Sequence, residues 1–369
     1  MFKSIRCLLV LIVMAPAMAL AQPRAQAPCP STTLDLSELA SLPEVSSLAE
    51  LSDLKHLVLL GQEMAQTGHP EDAAMYDAEK QKTFDKTYKV SKSDVLNIEN
   101  KFGKVHVNTW NRNEIKVNVV MIARAGTDSK AQEILDKINV VESRSGNTIA
   151  LKTNMASMNV SGNSNRSFEI NYTISMPEEN AIAVKNSFGD VYLAALKGKA
   201  DISVKYGSLK ADRLANTGNI VRLAYGSGSC GYVNGGNVDV AYSNLNVEGT
   251  NGLKGQSKFS DFKIGSLGEE LNMDVKYGSF KIDNVSKNIR QISLQSGFTP
   301  ISLNFEDNTA FNFDVSVKFG NFNVDKSLVN ITHLEKGYTS SEYKGKFGGE
   351  SPKGWINITS TYGDVKFTK

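Results

Sequence analysis

Apolar and polar residues alternate in short runs through most of the 369-residue chain. In Ile202-Ser203-Val204-Lys205-Tyr206 the apolar positions lie two apart, the period of a strand with one buried face. The next apolar residues are Leu209 and Ala211, so the phase breaks at Gly207-Ser208. Met273-Val275-Tyr277 followed by Phe280-Ile282 repeats this arrangement, and so does Val315-Val317-Phe319 followed by Phe322-Val324. The pattern predicts two short strands per unit, joined at a corner where glycine supplies the permissive dihedrals. No helical spacing of three and four runs through residues 184–325.

The corner motif reads aromatic, Gly, polar, apolar, variable, apolar. It opens at Phe102, Phe188, Tyr206, Tyr277, Phe319 and Tyr362. Tyr242 and Phe259 begin variants with Ser243 and Ser260 in the glycine slot, and Tyr225 begins a degenerate copy. A copy lacking the aromatic is expected at Ser296-Gly297. From Phe188 to Tyr277 the spacings are 18, 19, 17, 17 and 18 residues. The gaps from Tyr277 to Phe319 and from Phe319 to Tyr362 are 42 and 43, each read as two coils of 21. Such units are too short for propeller blades, and their strands are too short for a transmembrane barrel. The expected fold is an all-β solenoid of stacked coils, with the aromatics above as its repeated core.

Other segments depart from this period. Leu96, Ile98, Val105, Val107, Ile115, Val117 and Val119 continue the strand reading. Ser129 to Gln132 resembles a capping box ahead of Ile134, Leu135, Ile138 and Val141, which predicts one inserted helix over 129–142. Residues 156–166 read as a loop, Ile170-Tyr172-Ile174 as a strand and Pro177–Asn180 as a turn. Leucines three apart over 34–60, interrupted by Pro43, predict two short helices. They fit either a cap over the terminal coil or a helix that docks on a partner or a membrane.

Lys3 and Arg6, the apolar run Cys7–Met14 and the site Ala19-Leu20-Ala21 make a secretory signal peptide. The expected division is therefore 1–21 signal peptide, 22–83 linker with the leucine-rich segment, and 84–369 solenoid, most regular from 184. Cleavage removes two bases and no acid from a net charge of +2. A formally neutral mature chain argues against a nucleic-acid binder working by bulk charge. No later apolar run is long enough to span a membrane. Cys29 and Cys230 remain. They could pair in an oxidising compartment, or Cys230 could simply fill an apolar slot of the repeat.

Two stretches carry a resemblance. Leu96-x-Ile98-Glu-Asn-Lys-Phe-Gly-Lys-Val-His-Val107 is the first, and Met176-Pro177 followed by Val184-Lys-Asn-Ser-Phe-Gly-Asp-Val191 is the second. They resemble the bacterial β-helical "putative adhesin" families of unknown function, common in Bacteroidetes and related to GIN-type domains. The resemblance covers roughly residues 84–369. It implies a right-handed solenoid exported to the periplasm or cell surface.

Chemistry is sparse by comparison. His56, His69, His106 and His333 stand apart from one another and from cysteine, without metal-ligand spacing. No nucleophile elbow, phosphate loop or zinc-protease motif is present. Neither a cofactor nor catalytic residues are expected. Asp190, Asp261 and Asp364 follow their aromatics by two positions, where small polar residues satisfy turn backbone groups. Lysine is the most suggestive surface feature. Lys101, Lys205, Lys258, Lys276 and Lys318 precede aromatics, and Lys210, Lys263, Lys281 and Lys366 follow by four. Stacking would align them into basic ladders that bind an anionic glycan or only keep the sheet soluble. The expected function is a non-enzymatic envelope or surface protein, an adhesin or scaffold for weak multivalent binding to an anionic glycan or envelope protein. The alternatives are a polysaccharide-active enzyme and a periplasmic accessory partner docking through 34–60.

Overall fold

The computed structural model describes residues 77–156, 166–349 and 352–369. The leader at 1–21, the leucine-rich segment at 34–60, Cys29, His56 and His69 lie outside the described residues, as does most of the loop read at 156–166. All described strands join one 25-stranded sheet. The first, Ala78–Lys89, begins ahead of residue 84.

The alternation seen in the sequence becomes two parallel ladders. In the first, strand Ala181–Ser187 pairs with Ala200–Lys205, which pairs with Asn219–Ala224. Successive partners Ser187, Lys205, Ala224, Ala241, Lys258, Lys276 and Gly297 lie 18, 19, 17, 17, 18 and 21 residues apart. In the second ladder Val191, Leu209, Gly228, Leu245, Phe262, Phe280 and Ile301 pair in the same order. Each rung is one strand from each ladder joined at the aromatic corner. Strands Asn244–Lys258 and Asp261–Lys276 instead run 15 and 16 residues, bending at an irregularity between Thr250 and Gly252. Inward-facing Val204, Leu209, Val240, Phe262, Val275 and Phe280 form part of one continuous buried core.

The last rungs are out of sequence order. Gly297 pairs with Thr361, and Thr361 with Lys318. The rung of Tyr362 therefore sits between those of Phe298 and Phe319. The 43-residue gap is not two coils. It holds the antiparallel hairpin Val329–Lys336 and Ser340–Phe347, which pairs back onto Phe311–Lys318. Nor does the Ser296-Gly297 copy lack an aromatic: Phe298 fills the corner, with Thr299 in the glycine slot.

The inserted helix is shorter than the spacing predicts. It spans Asp128–Asp136, capped by Thr127 rather than Ser129, and buries Ala131, Ile134 and Leu135. Ile138 and Val141 belong to the next strand, Ile138–Ser145. Their distance from Ile134 mimics a helical face, but the β-branched run Ile138-Asn-Val-Val141 favours a strand. At the other end, Phe305, Phe311, Phe313, Phe347 and Phe367 build a dense aromatic core.

Polar residues two before the corner aromatic close its backbone. Asn186 Nδ2 donates to the Gly189 carbonyl at 2.9 Å, and the Ser296 and Ser360 hydroxyls donate to Thr299 and Gly363 carbonyls at 2.7 Å. Ser257 holds the same place, buried between Val240 and Val275, and its hydroxyl has no partner. An unpaired buried hydroxyl is costly. Ser257→Val is therefore expected to stabilise the fold by about 1 kcal/mol, read as a higher denaturant midpoint at unchanged slope.

Candidate functional site

The corner aromatics all have left-handed backbone, with φ between 51° and 61° at Phe102, Phe188, Tyr206, Tyr225, Tyr242, Phe259, Tyr277, Phe298, Phe319 and Tyr362. That conformation breaks the strand alternation at the aromatic itself. Val204 faces inward and Lys205 outward, and Tyr206 turns outward as well. The expectation of a core column is therefore corrected. Seven of the rings, from Tyr225 to Tyr362 and Phe319, are 45–51% exposed, and Phe102, Phe188 and Tyr206 are half-buried.

The rings nevertheless stack. Nine successive contacts from Phe102 through Tyr362 to Phe319 have centroids 4.6–5.1 Å apart and planes within 11°. This is the strand spacing repeated by side chains. Phe168 closes one end edge-on, 5.2 Å from Phe102 at 71°. Interior rings have both faces covered by neighbours and present only their edges. A sugar that stacks on a ring face finds no free face there. Edges are the electropositive rim of the aromatic quadrupole.

The glycine slot has a different reason from the one the sequence suggested. A Cβ on Gly189, Gly207, Gly226 or Gly278 would lie 1.9–2.1 Å from a carbonyl oxygen of the preceding rung. Close approach, not a left-handed dihedral, excludes side chains. Ser243 and Ser260 fit because their hydroxyls accept backbone N–H groups of Gly226 and Ser243, each at 3.1 Å.

Flanking rows give the column two unlike sides. The row before the aromatics runs Lys101, Ser187, Lys205, Ala224, Ala241, Lys258, Lys276, Gly297, Thr361, Lys318. It carries five lysines and no acid. Only Lys258 and Lys276 are adjacent, and Lys276 Nζ also meets Asp274 at 3.1 Å. Lys318 lies over the Phe319 ring at 5.7 Å. The row four after the aromatics is similarly broken: Lys263 and Lys281 are neighbours sharing Asp283 at 2.7 and 2.8 Å, while Lys210 and Lys366 have no lysine beside them. The continuous basic ladders expected from the repeat are thus interrupted rows.

The row two after the aromatics, beyond the rings, carries three carboxylates. Asp190 accepts from the Ser208 N–H at 2.9 Å and hydroxyl at 2.7 Å, Asp261 from the Ser279 hydroxyl at 2.6 Å, and Asp364 from the Asn321 N–H at 2.8 Å. These carboxylates tie adjacent rungs rather than their own turns. The Ser208 hydroxyl holds the Asp190 carboxyl below its usual range, against partial burial, with further help from the Ser208 N–H and Lys104. A depressed folded pKa stabilises above the unfolded value of about 4, and the contribution disappears as pH falls through the folded pKa. Asp190→Asn is accordingly expected to flatten the acid limb of stability below about pH 4. Urea midpoints measured across that range check this.

His106 is exposed, with Nε2 3.0 Å from Asn108 Oδ1 and its ring 4.4 Å from Tyr192, and His333 is exposed on the hairpin. Cys230 is buried between Ala211 and Val247 and forms no disulfide with a described residue. Burial pushes its thiol up to about 12. Among the described residues no three His, Cys, Asp or Glu side chains gather as metal ligands, and no helix is long and apolar enough to cross a membrane. An open concavity of about 500 Å³ lies near Asn234, Asn251, Lys254 and Glu270. Glu269 at its rim is engaged by Arg290.

No family model matches the chain, and no curated protein matches it. Solved structures do align with it. One described as a "putative adhesin" from Parabacteroides merdae is 9% identical, with 78% of this chain and 97% of that one covered and a TM-score of 0.32. A "putative adhesin" from Bacteroides fragilis is 13% identical over the same shares, with a TM-score of 0.29. A "putative lipid binding protein" from Parabacteroides distasonis is 11% identical, again over 78% and 97%, with a TM-score of 0.29.

Proposed function

We propose that the chain is a non-enzymatic, exported envelope or surface protein whose ladders wind as a right-handed β-solenoid of 17–21-residue coils. The signal-type leader supports export. On this reading the protein is a scaffold for a linear anionic glycan lying along the lysine side of the aromatic column. The observation that carries it is the asymmetry of that column. The row just before the exposed rings carries five lysines and no acid, whereas the row two after them carries Asp190, Asp261 and Asp364. Ten rungs at about 4.8 Å give a track on the order of 43 Å, suited to many weak contacts with a repeating polymer. Positive ring edges and ammonium groups both favour anionic oxygens.

Binding of an anionic polysaccharide such as alginate, followed at rising salt, tests this. Affinity is expected to fall with salt. The double variant Lys258→Glu/Lys276→Glu is expected to weaken it about tenfold, or about 1.4 kcal/mol. Lys210→Glu, on the other ladder, is expected to leave it nearly unchanged. Salt-independent binding, or equal loss in both variants, contradicts the track.

A further inference from the structure

Tyr206, Tyr225 and Tyr242 are the one run of three tyrosines in the column. Their centroids are 4.9 and 5.1 Å apart, and their planes differ by 7° and 4°. All three come from corners of the same geometry, with φ of 56°, 57° and 51°. Neighbouring phenols are therefore in line on adjacent rungs, and Tyr225 and Tyr242 are 45% and 51% exposed. The row beside them is small and uncharged at Ala224 and Ala241, so no lysine covers the rims of Tyr225 and Tyr242 from its own rung. Neither phenyl face is open to a second molecule, because each face of Tyr225 meets another tyrosine of the same chain.

We propose that this triad is a site of oxidative coupling within the chain, forming a dityrosine between adjacent rungs under peroxide and a one-electron peroxidase-type catalyst. Each of two phenols gives up one electron and one proton. The resulting phenoxyl radicals join through one ring carbon each, ortho to oxygen. The two hydrogens on those carbons then move to the oxygens as the rings rearomatise. One hydrogen peroxide accepts the two electrons and two protons and leaves as two waters. The product links rungs that backbone hydrogen bonds and ring stacking already hold together, which makes it a covalent staple along the column. Coupling inside the chain outcompetes coupling between chains here because the partner ring is held in place, the advantage of proximity.

The test treats the full chain with peroxidase and hydrogen peroxide. Dityrosine fluorescence is measured on the gel-filtered monomer, and the linked tryptic peptides are identified by mass spectrometry. The expected result is dityrosine in the monomer, with the peptide carrying Tyr206 linked to the peptide carrying Tyr225, or a link between Tyr225 and Tyr242. Tyr225→Phe preserves the stack and is expected to lose most of the monomer signal. Tyr277→Phe, whose stacked neighbours are Phe259 and Phe298, is expected to lose none. Tyr338 is fully exposed on the hairpin and serves as the competitor for coupling between chains. Dityrosine found only in dimers through Tyr338, or a monomer signal unchanged in Tyr225→Phe, overturns the proposal.

Discussion

Gly207→Ala is expected to destabilise the protein by about 3 kcal/mol, at the upper end for overpacking. The new Cβ would sit 2.1 Å from the Gly189 carbonyl oxygen and 2.7 Å from its carbon. Neither atom belongs to a flexible side chain. Relief requires the rungs to separate, which strains the parallel hydrogen bonds on both sides of the corner. A Cβ on Gly226 in the next rung would likewise lie 1.9 Å from the Gly207 carbonyl oxygen, so a shift of one rung is passed to the next. Gly126→Ala is the control. Its Cβ meets nothing within 4 Å, and the change is expected within about 0.5 kcal/mol. Gly207→Ser should fall between the two, because serine at Ser243 and Ser260 accepts a backbone N–H from an adjacent rung. Urea denaturation of the three variants measures this. Equal stability of Gly207→Ala and Gly126→Ala would contradict close packing at the corner.

Tyr277→Val is expected to cost a similar amount, about 3 kcal/mol, from two separable sources. A β-branched residue at φ 57° is strained by about 1–3 kcal/mol. The ring also stacks on Phe259 at 4.7 Å and Phe298 at 5.1 Å, and such pairs contribute about 0.5–1.5 kcal/mol each. Tyr277→Asn tolerates the left-handed backbone and loses only the ring. Tyr277→Phe keeps both and is expected within about 0.5 kcal/mol. The ordering Phe, Asn, Val, from most to least stable, separates ring from backbone. A valine variant as stable as the asparagine one would show that the corner carries no left-handed constraint.

The corner is legible in the sequence only in part. The strands, their spacing and the aromatic positions follow from alternation and from the recurrence of one six-residue motif. The direction of the rings does not. Tyr206 stands two after buried Val204, so a period of two places it inside. The left-handed residue is the aromatic, one position before the glycine at which the sequence pattern places the phase break. A usable signal was present in the even-odd slip between Tyr206 and Leu209, which is compatible with a break at either residue. Glycine recurs for a reason that only adjacent rungs reveal, since the atom it avoids belongs to another copy of the motif.

Long-range order was less legible. Phe298 does not read as a corner aromatic, because Thr299-Pro300 stands where the motif has glycine and a small polar residue. The inversion of the last two rungs depends on the hairpin of Val329–Phe347, which pairs antiparallel to Phe311–Lys318 and lets the chain return between two existing rungs. A spacing of 43 fits two coils numerically and gives no sign of this detour. The lysine row was legible as a list of positions, but its interruptions follow from the neighbours that Ala224, Ala241, Gly297 and Thr361 supply.

Hydroxyl-radical footprinting with residue-level mass spectrometry reads directly which way the corner rings point. Tyr242, Phe259, Tyr277 and Phe298 are expected to be oxidised readily in the native protein, with Phe262, Phe280, Phe311 and Phe313 protected until it unfolds. Protection of the first four, with labelling of the second four, would place the column inside and contradict an outward-facing stack.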